Sequence, residues 1–130
     1  MLGVAALSPV CTIVGLENPK DPQVHPKPSI FNTREAAWLR RVSGAADYVL
    51  DQCMFGLEYK KATQILSNAD LNALVKSCDH GYGAHRVLQG RDAGGQWKTK
   101  CQAWYPSKLC RALAHAMLCA RVAQIHPEHA

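Results

Sequence analysis

Apolar positions along the chain fall into short β-type runs separated by helical repeats. Residues 12–16 form an apolar run without alternation, which is typical of a strand covered on both faces, as in a parallel sheet. Residues 48–50 and 65–66 predict two further strands. Four prolines between positions 18 and 29 exclude a regular helix or a central strand there, so this stretch is predicted to be a loop.

Two helices are predicted around these strands. Asn32 and Glu35 have the spacing of a capping box, and Gly44 supplies a stop signal at the other end of the first helix. The apolar face of this helix comprises Ala36, Leu39 and Val42. Ser67 and Asp70 indicate a second helix start. The apolar positions at helical spacing that follow are Leu71, Leu74 and Val75.

The longest helical repeat follows Pro106. Leu109, Leu113 and Met117 recur at every fourth position, as on one face of a helix. The same predicted stripe is filled by Cys110, Ala114 and Leu118. The glycine-rich stretch before it predicts at most a short strand at 86–88. Strands that alternate with helices predict the α/β class.

The composition indicates a globular protein with an excess of basic residues. The chain has 130 residues, which suits one domain, and 48% of them are apolar. Its formal net charge is +5 and its sequence pI is about 9.0, a balance compatible with a polyanionic partner such as nucleic acid. A simply soluble protein with no such partner has the same balance.

The chain carries neither a membrane-span pattern nor a secretion signal. Its apolar runs fall short of the roughly 20 residues that a span requires, and the apolar N-terminus lacks a basic leader. We therefore expect no membrane partner and an intracellular protein, nuclear or cytoplasmic. The six cysteines are irregularly spaced, which favours reduced thiols over a disulfide framework.

A carboxylate and an amide stand where the first predicted strand ends. Ligands of open α/β sheets gather beyond the carboxyl ends of the strands, which places Glu17 and Asn18 at a candidate site. Pro19 cannot donate a ladder hydrogen bond, so pairing is expected to stop there. The alternative is an ordinary strand-ending turn with a solvated Glu17.

Two pairs of lysines are candidates for contacting nucleic acid. Lys60 and Lys61 stand at the mouth of the third predicted strand, where they can reach phosphates; a hairpin turn with solvated lysines is the alternative. Lys98 and Lys100 lie between two tryptophans, a mixture of basic and aromatic residues that can bind phosphates and stack bases. Tryptophans that belong to the core are the alternative here.

A third candidate site is a set of metal-ligand side chains. Cys78, His80 and His85 crowd a glycine-rich loop, and either Cys53 or Cys101 could complete a tetrahedral zinc set. The spacing is not that of a standard zinc finger. The alternative is a surface loop with a buried cysteine.

Several of these stretches together resemble the cytosine-C5 DNA methyltransferases. Glu17-Asn18-Pro19 is similar to the family's Glu-Asn-Val strand end. Phe55-Gly56 looks like its aromatic-glycine turn, and Lys61 falls where the first arginine of its basic element is expected. The "DQC" stretch with its later Lys-Lys and Thr, and the "YPSKLC" helix start, resemble methyltransferase-like reading frames of retroelements. The resemblance covers roughly residues 12–118.

The resemblance implies a partial Rossmann-like sheet with flanking helices. It makes residues 1–130 a single truncated domain with a core at about 11–122. By analogy with the family, Glu17 would orient a flipped base, Asn18 would fix the strand-end loop, and the lysine pair would contact phosphates. The cofactor that it implies is S-adenosylmethionine.

The departures from the family pattern shape the functional expectation. The sequence has neither a glycine-rich loop for S-adenosylmethionine nor the Pro-Pro-Cys segment that supplies the nucleophile. The chain therefore resembles the C-terminal half of a catalytic domain, inactive on its own, which self-associates or needs a missing N-terminal half. The alternatives are a small zinc-binding module that interacts with nucleic acid or protein, and an orphan fragment without present function.

Overall fold

A computed structural model describes residues 12–24, 28–81, 83–85, 93–95 and 105–125. It shows a small α/β fold with a three-stranded sheet and two helices. The regular elements in chain order are β1 (Gly15–Pro19), α1 (Arg34–Ser43), β2 (Ala46–Asp51), β3 (Ala62–Ser67) and α2 (Ser107–Ile125). Single turns of 3-10 helix cover Ile30–Asn32, Gln52–Phe55 and Asn72–Leu74.

The sheet has the order β1-β3-β2, and both of its pairings are antiparallel. The prediction of parallel pairing was wrong. A parallel neighbour needs a crossover of a dozen or more residues, and the short connection from Asp51 to Ala62 holds only one turn of 3-10 helix. Because β1 and β2 both oppose β3, they run in the same direction as each other. The α/β class is confirmed, whereas a Rossmann-like sheet stays a prediction.

The two helices cover opposite faces of the sheet, and neighbouring residues of β3 show this directly. Ile65 belongs to a core cluster with Leu109 of α2, while Leu66 belongs to a second cluster with Leu39 of α1. Side chains alternate across a strand, so adjacent residues face opposite layers. Strand β3 is therefore covered on both faces, as strands of parallel sheets are, although its pairing is antiparallel.

Strand β1 lies slightly later than predicted. It spans Gly15–Pro19 rather than residues 12–16, so that Glu17 is paired opposite Ile65 inside the ladder. The strand ends at Pro19 as predicted, but hydrogen bonding does not stop there, because the N–H of Lys20 donates to the carbonyl of Ala62 at 3.0 Å. The predicted strand at 86–88 lies outside the described residues.

Helix α1 is capped one residue later than the sequence pattern suggested. Thr33 accepts a hydrogen bond from the backbone N–H of Ala36 at 3.1 Å, and the side chain of Asn32 donates instead to Asp21 at 2.8 Å. The preceding 3-10 turn already uses Asn32, which shifts the cap to the next hydroxyl. Gly44 closes the helix in the left-handed conformation, as expected. Val42 is exposed rather than part of the core face.

The helix predicted after Asp70 is absent from the described residues. Only the 3-10 turn Asn72–Leu74 forms, and Val75 is exposed. The chain then extends because the N–H of Asp51 donates to the carbonyl of Lys76 at 2.9 Å. This tertiary hydrogen bond outweighs the local helical spacing.

Helix α2 confirms the longest predicted helix but not the full predicted stripe. Leu109 is fully buried, and Leu113 and Met117 pack against the same core. The three residues predicted to fill the stripe, Cys110, Ala114 and Leu118, are exposed. The stripe is completed on its other side by Ala112, Ala116 and Ala120. No helix among the described residues has the length and apolar character needed to cross a membrane.

A polar network on the α1 side joins the helix to the sheet. Arg40 donates to both carboxylate oxygens of Asp47 at 2.8 Å, and a third hydrogen bond reaches this carboxylate from Gln64 at 2.9 Å. The hydrogen bond from Arg40 is the main reason that the pKa of Asp47 is lowered. Arg40 also donates to the carbonyl of Phe31 at 3.0 Å, which links the start of the α1 region to the same network.

We predict that Arg40→Gln destabilises the fold by about 0.5–1 kcal/mol at pH 7, because the pair is partly exposed. The folded-state pKa of Asp47 is lowered, so its contribution is present above the unfolded value near 3.8 and disappears as the pH falls below it. Urea unfolding at pH 7 and at about pH 2.5 measures the difference. Arg41→Gln removes the same charge from an exposed neighbour and serves as the control. An equal effect of the two substitutions, or an effect of Arg40→Gln that is unchanged at low pH, would contradict this prediction.

Candidate metal centre

The candidate metal centre forms where β2 ends and a later loop returns to it. Cys53 lies in the 3-10 turn that follows β2, and it is buried. Asp51, the last residue of β2, holds the returning loop by two hydrogen bonds. Its N–H donates to Lys76, and its carboxylate accepts from the N–H of Cys78 at 2.7 Å. Asp51 therefore fixes the backbone of Cys78 beside the turn that carries Cys53.

The ligand atoms have the mutual distances of a tetrahedral site. Cys78 Sγ lies 3.4 Å from His80 Nδ1 and 3.3 Å from His85 Nε2, and the two ring nitrogens are 3.3 Å apart. Together with Cys53 Sγ, the four ligand atoms all lie within 4.8 Å of one another. A tetrahedral zinc ion with usual bond lengths gives N–N edges of about 3.3 Å and N–S edges of about 3.6 Å. The arrangement therefore fits one zinc ion.

The four ligands differ in burial, and burial raises the pKa of one of the two thiols. Cys53 is buried, Cys78 and His85 are half-buried, and His80 is exposed. Burial, followed by the hydrogen bond with Cys78, raises the pKa of the Cys53 thiol to about 11. The thiol is therefore protonated at neutral pH in the metal-free protein, and a bound metal would have to displace its proton.

The ligand chemistry of this cluster favours a structural role for a metal. Two sulfurs and two imidazoles form the Cys₂His₂ set of structural zinc sites. A catalytic zinc keeps one position open for water or substrate, whereas this set fills all four positions with protein atoms. Two thiolates also balance the charge of a divalent ion, so that the occupied centre would be neutral.

The structure brings together the three metal ligands predicted from the sequence. Cys78, His80 and His85 converge, and of the two candidates left open for the fourth ligand it places Cys53 beside them. Cys101 lies outside the described residues. Sequence reasoning missed Asp51, whose carboxylate positions Cys78; its place just before Cys53 at the end of a strand is the available signal.

A second arrangement lies at the same end of the sheet and involves Tyr105. Its hydroxyl is hydrogen-bonded to the carboxylate of Glu17, and Lys61 Nζ lies 5.6 Å from the centre of its ring. Burial is the main cause of the raised pKa of Tyr105, and the bond to Glu17 raises it further. Tyr105 therefore contacts both the predicted carboxylate and one of the predicted lysines. It was not predicted as a site residue.

The positions of the remaining predicted site residues give little support for a site. Asn18 is paired opposite Gln64 in the β1–β3 ladder. Lys60 is exposed, and its carbonyl accepts from the N–H of Cys53 at 3.4 Å. Lys98 and Lys100 lie outside the described residues.

Residues of the "DQC" stretch stabilise this end of the sheet. Gln52 is fully buried and donates to the Thr63 hydroxyl at 2.9 Å, and that hydroxyl donates to the carbonyl of Lys61 at 3.0 Å. The N–H of Gln52 also donates to the carbonyl of Lys61 at 3.3 Å. The turn that carries Cys53 is thus tied directly to the residue before β3.

Comparisons of the chain with protein-family models, with curated proteins and with solved structures find no match. The resemblance to the cytosine-C5 DNA methyltransferases therefore stays a prediction that depends on the residues quoted for it. The geometry of the four ligand atoms does not depend on that resemblance.

Proposed function

We propose that this protein is a small zinc-stabilised module that presents a basic end of its sheet to the phosphates of nucleic acid. The observation that supports it best is the convergence of ligand atoms from Cys78, His80 and His85 at tetrahedral spacing, with Cys53 Sγ within 4.8 Å of each of them. On this proposal the metal is structural and the protein is a binding module rather than an enzyme. A thiolate site also suits a reducing, intracellular compartment, nuclear or cytoplasmic.

The proposed metal site is connected to the predicted nucleic-acid contacts through the backbone. Cys53 donates its N–H to Lys60, and the neighbouring Gln52 donates its N–H to Lys61. Ordering the turn at Cys53 therefore orders both lysine backbones. A neutral metal centre adds no charge of its own beside these lysines, so it does not weaken their attraction to phosphates.

The loop that carries three ligands needs such a cross-link. From Val75 to Ala84 the described side chains are exposed, apart from the half-buried Cys78. Apolar burial therefore contributes little to holding this loop against the sheet. A metal that joins Cys53 to the loop would bind the folded chain and not the unfolded one, so its binding free energy would stabilise the fold.

We predict that the centre at Cys53 binds about one equivalent of zinc per chain, and that Cys53→Ser or Cys78→Ser lowers the zinc content of the protein by that equivalent. Zinc at about one hundred times its dissociation constant should raise the free energy of unfolding by about 2.7 kcal/mol. Elemental analysis and denaturant unfolding with and without a chelator measure both effects. Cys110→Ser, which changes an exposed cysteine of α2, is the control. A wild-type protein with less than about a tenth of an equivalent of zinc overturns the proposed metal centre.

We also predict that the lysine pair makes salt-dependent contacts with duplex DNA. Replacing Lys60 and Lys61 with alanine should weaken binding and reduce the slope of log affinity against log salt by about 1.8, since each phosphate contact contributes about 0.9. Fluorescence anisotropy over a salt series measures this slope. The matched control replaces Arg34 and Arg41 of α1 with alanine. Both arginines are exposed, and their replacement removes the same amount of charge. If the two double variants lose affinity equally, the lysine pair contributes only through the overall charge of the protein. If the wild type does not bind DNA, the nucleic-acid part of the proposal is excluded.

A second candidate function has one specific observation in its favour. On this proposal the chain is the C-terminal half of a cytosine-C5 DNA methyltransferase-like domain, and a separate half would supply the nucleophile and bind S-adenosylmethionine. The supporting observation is that Glu17 and Lys61, expected to act at one site, both contact Tyr105. Glu17 would then hydrogen-bond the edge of a cytosine while Lys61 contacts a phosphate.

If this second proposal is correct, the protein prefers single-stranded oligonucleotides that contain cytosine over matched ones without it. Glu17→Gln should remove that preference while leaving the salt dependence of binding unchanged, because it alters a base contact and not a phosphate contact. Lys61→Ala should weaken binding to both oligonucleotides equally. Tyr105→Phe removes the hydroxyl that bonds Glu17 and keeps the carboxylate, so it controls for altered local packing. Equal affinity of the wild type for both oligonucleotides would count against the methyltransferase-like function and leave the zinc module unaffected.

A further inference from the structure

Helix α2 carries a pair of metal-ligand side chains on its exposed face. His115 and Cys119 are one helical turn apart and both exposed, and Cys119 Sγ lies 3.5 Å from His115 Nε2. This distance equals, within about 0.1 Å, the N–S edge of a tetrahedral zinc site. The pair is separate from the centre formed by Cys53, Cys78, His80 and His85.

The pair supplies only two of the four ligands that zinc requires. Among the described residues, the one group of three or more clustered metal ligands is the centre at Cys53, so no third ligand stands beside His115 and Cys119. A closed site on α2 that uses only the described residues therefore draws its remaining ligands from another molecule. A second copy of this chain offers the same two side chains, and a two-fold contact presents them twice.

The surface around the pair is apolar, as a helix-to-helix contact requires. Leu118, Val122 and Ile125 lie on the same face, with 64%, 42% and 53% of their surfaces exposed. Their spacing of four and three residues makes a continuous stripe beside Cys119. An exposed helix normally presents charged residues here, whereas the segment from Ala112 to Ile125 contains Arg121 as its single charged residue.

The charges on α2 limit how two copies could cross. In an antiparallel crossing centred between His115 and Cys119, Arg111 of one copy would lie near the level of Arg121 and Val122 of the other, and the two Arg111 side chains would lie far apart. The aliphatic part of an arginine can cover an apolar neighbour while its charged end reaches water. Helix α2 has no acidic residue that would give an interface of unlike charges, which leaves apolar contact and the metal as the attractive interactions.

We propose that His115 and Cys119 form a zinc half-site that is completed by the same pair from a second copy, so that zinc links two chains through α2. Each Cys119 thiol loses its proton to solvent when it binds, and each His115 binds as a neutral imidazole through Nε2. Two thiolates and one zinc ion make the bridge neutral. This site is independent of the centre at Cys53 and of the proposed function.

Sedimentation velocity and elemental analysis of the full chain, with zinc and a non-thiol reductant present, test this proposal. The wild type should be a dimer that holds about 1.5 zinc ions per chain, and chelation should return it to a monomer. The double variant His115→Ala, Cys119→Ser should stay monomeric and hold about one zinc ion per chain. Cys110→Ser, an exposed cysteine on the same helix, should behave as the wild type.

A further variant separates this site from the centre at Cys53. Cys78→Ser should still dimerise with zinc while holding about half an ion per chain, and if it does not fold the double variant still decides the question. The proposal is overturned if the wild type stays monomeric at saturating zinc, or if the double variant dimerises like the wild type. A dimer that forms only when the reductant is left out would identify a Cys119 disulfide and would overturn it as well.

Discussion

The burial of β3 on both faces is the constraint on which the rest of the structure depends. Both of its edges are paired, by β1 on one side and β2 on the other, and five of its six residues are buried. A polar side chain in such a strand must find a hydrogen-bond partner inside the protein. Each of the three polar residues finds one in a different segment: Thr63 contacts Gln52, Gln64 contacts Asp47, and Ser67 donates to the carbonyl of Val14. These bonds fix how the turn after β2, the strand β2 and the approach to β1 are placed around β3.

Sequence reasoning found the elements of this sheet but not their direction. The run at residues 12–16 predicts a strand covered on both faces, and the run around Ile65 and Leu66 predicts a further strand. In the structure it is this further strand, β3, that the two helices cover on both faces. Coverage does not determine direction, because the antiparallel pairing follows from the short connection between Asp51 and Ala62. The helix predicted after Asp70 failed for a similar reason. Its local spacing is helical, but Asp51 of a distant strand holds Lys76 in extended chain.

The candidate metal centre was predictable to the extent that its ligands are neighbours in sequence. Cys78, His80 and His85 are close enough along the chain that a single loop can bring them together. The fourth ligand comes from a different part of the chain, and the sequence offers two cysteines for it. The choice of Cys53 depends on the turn after β2 and on Asp51, which is three-dimensional information. For the same reason the exposed face of α2 was misassigned, since a four-residue repeat does not show which side of a helix meets the core.

The metal centre and the Glu17–Tyr105–Lys61 arrangement lie at one end of the sheet because β1 and β2 run in the same direction. Glu17 lies in β1 two residues before the strand ends, Cys53 lies in the turn that follows β2, and Lys61 immediately precedes β3. Gln52 and Cys53 donate their backbone N–H groups to Lys61 and Lys60. A neutral zinc centre would therefore influence nucleic-acid binding through the order of this turn and not through its own charge. Its removal should then change the affinity while leaving the number of phosphate contacts, and hence the salt slope, nearly the same. On the proposed function, loss of the lysines would change both, so a salt series separates the two contributions.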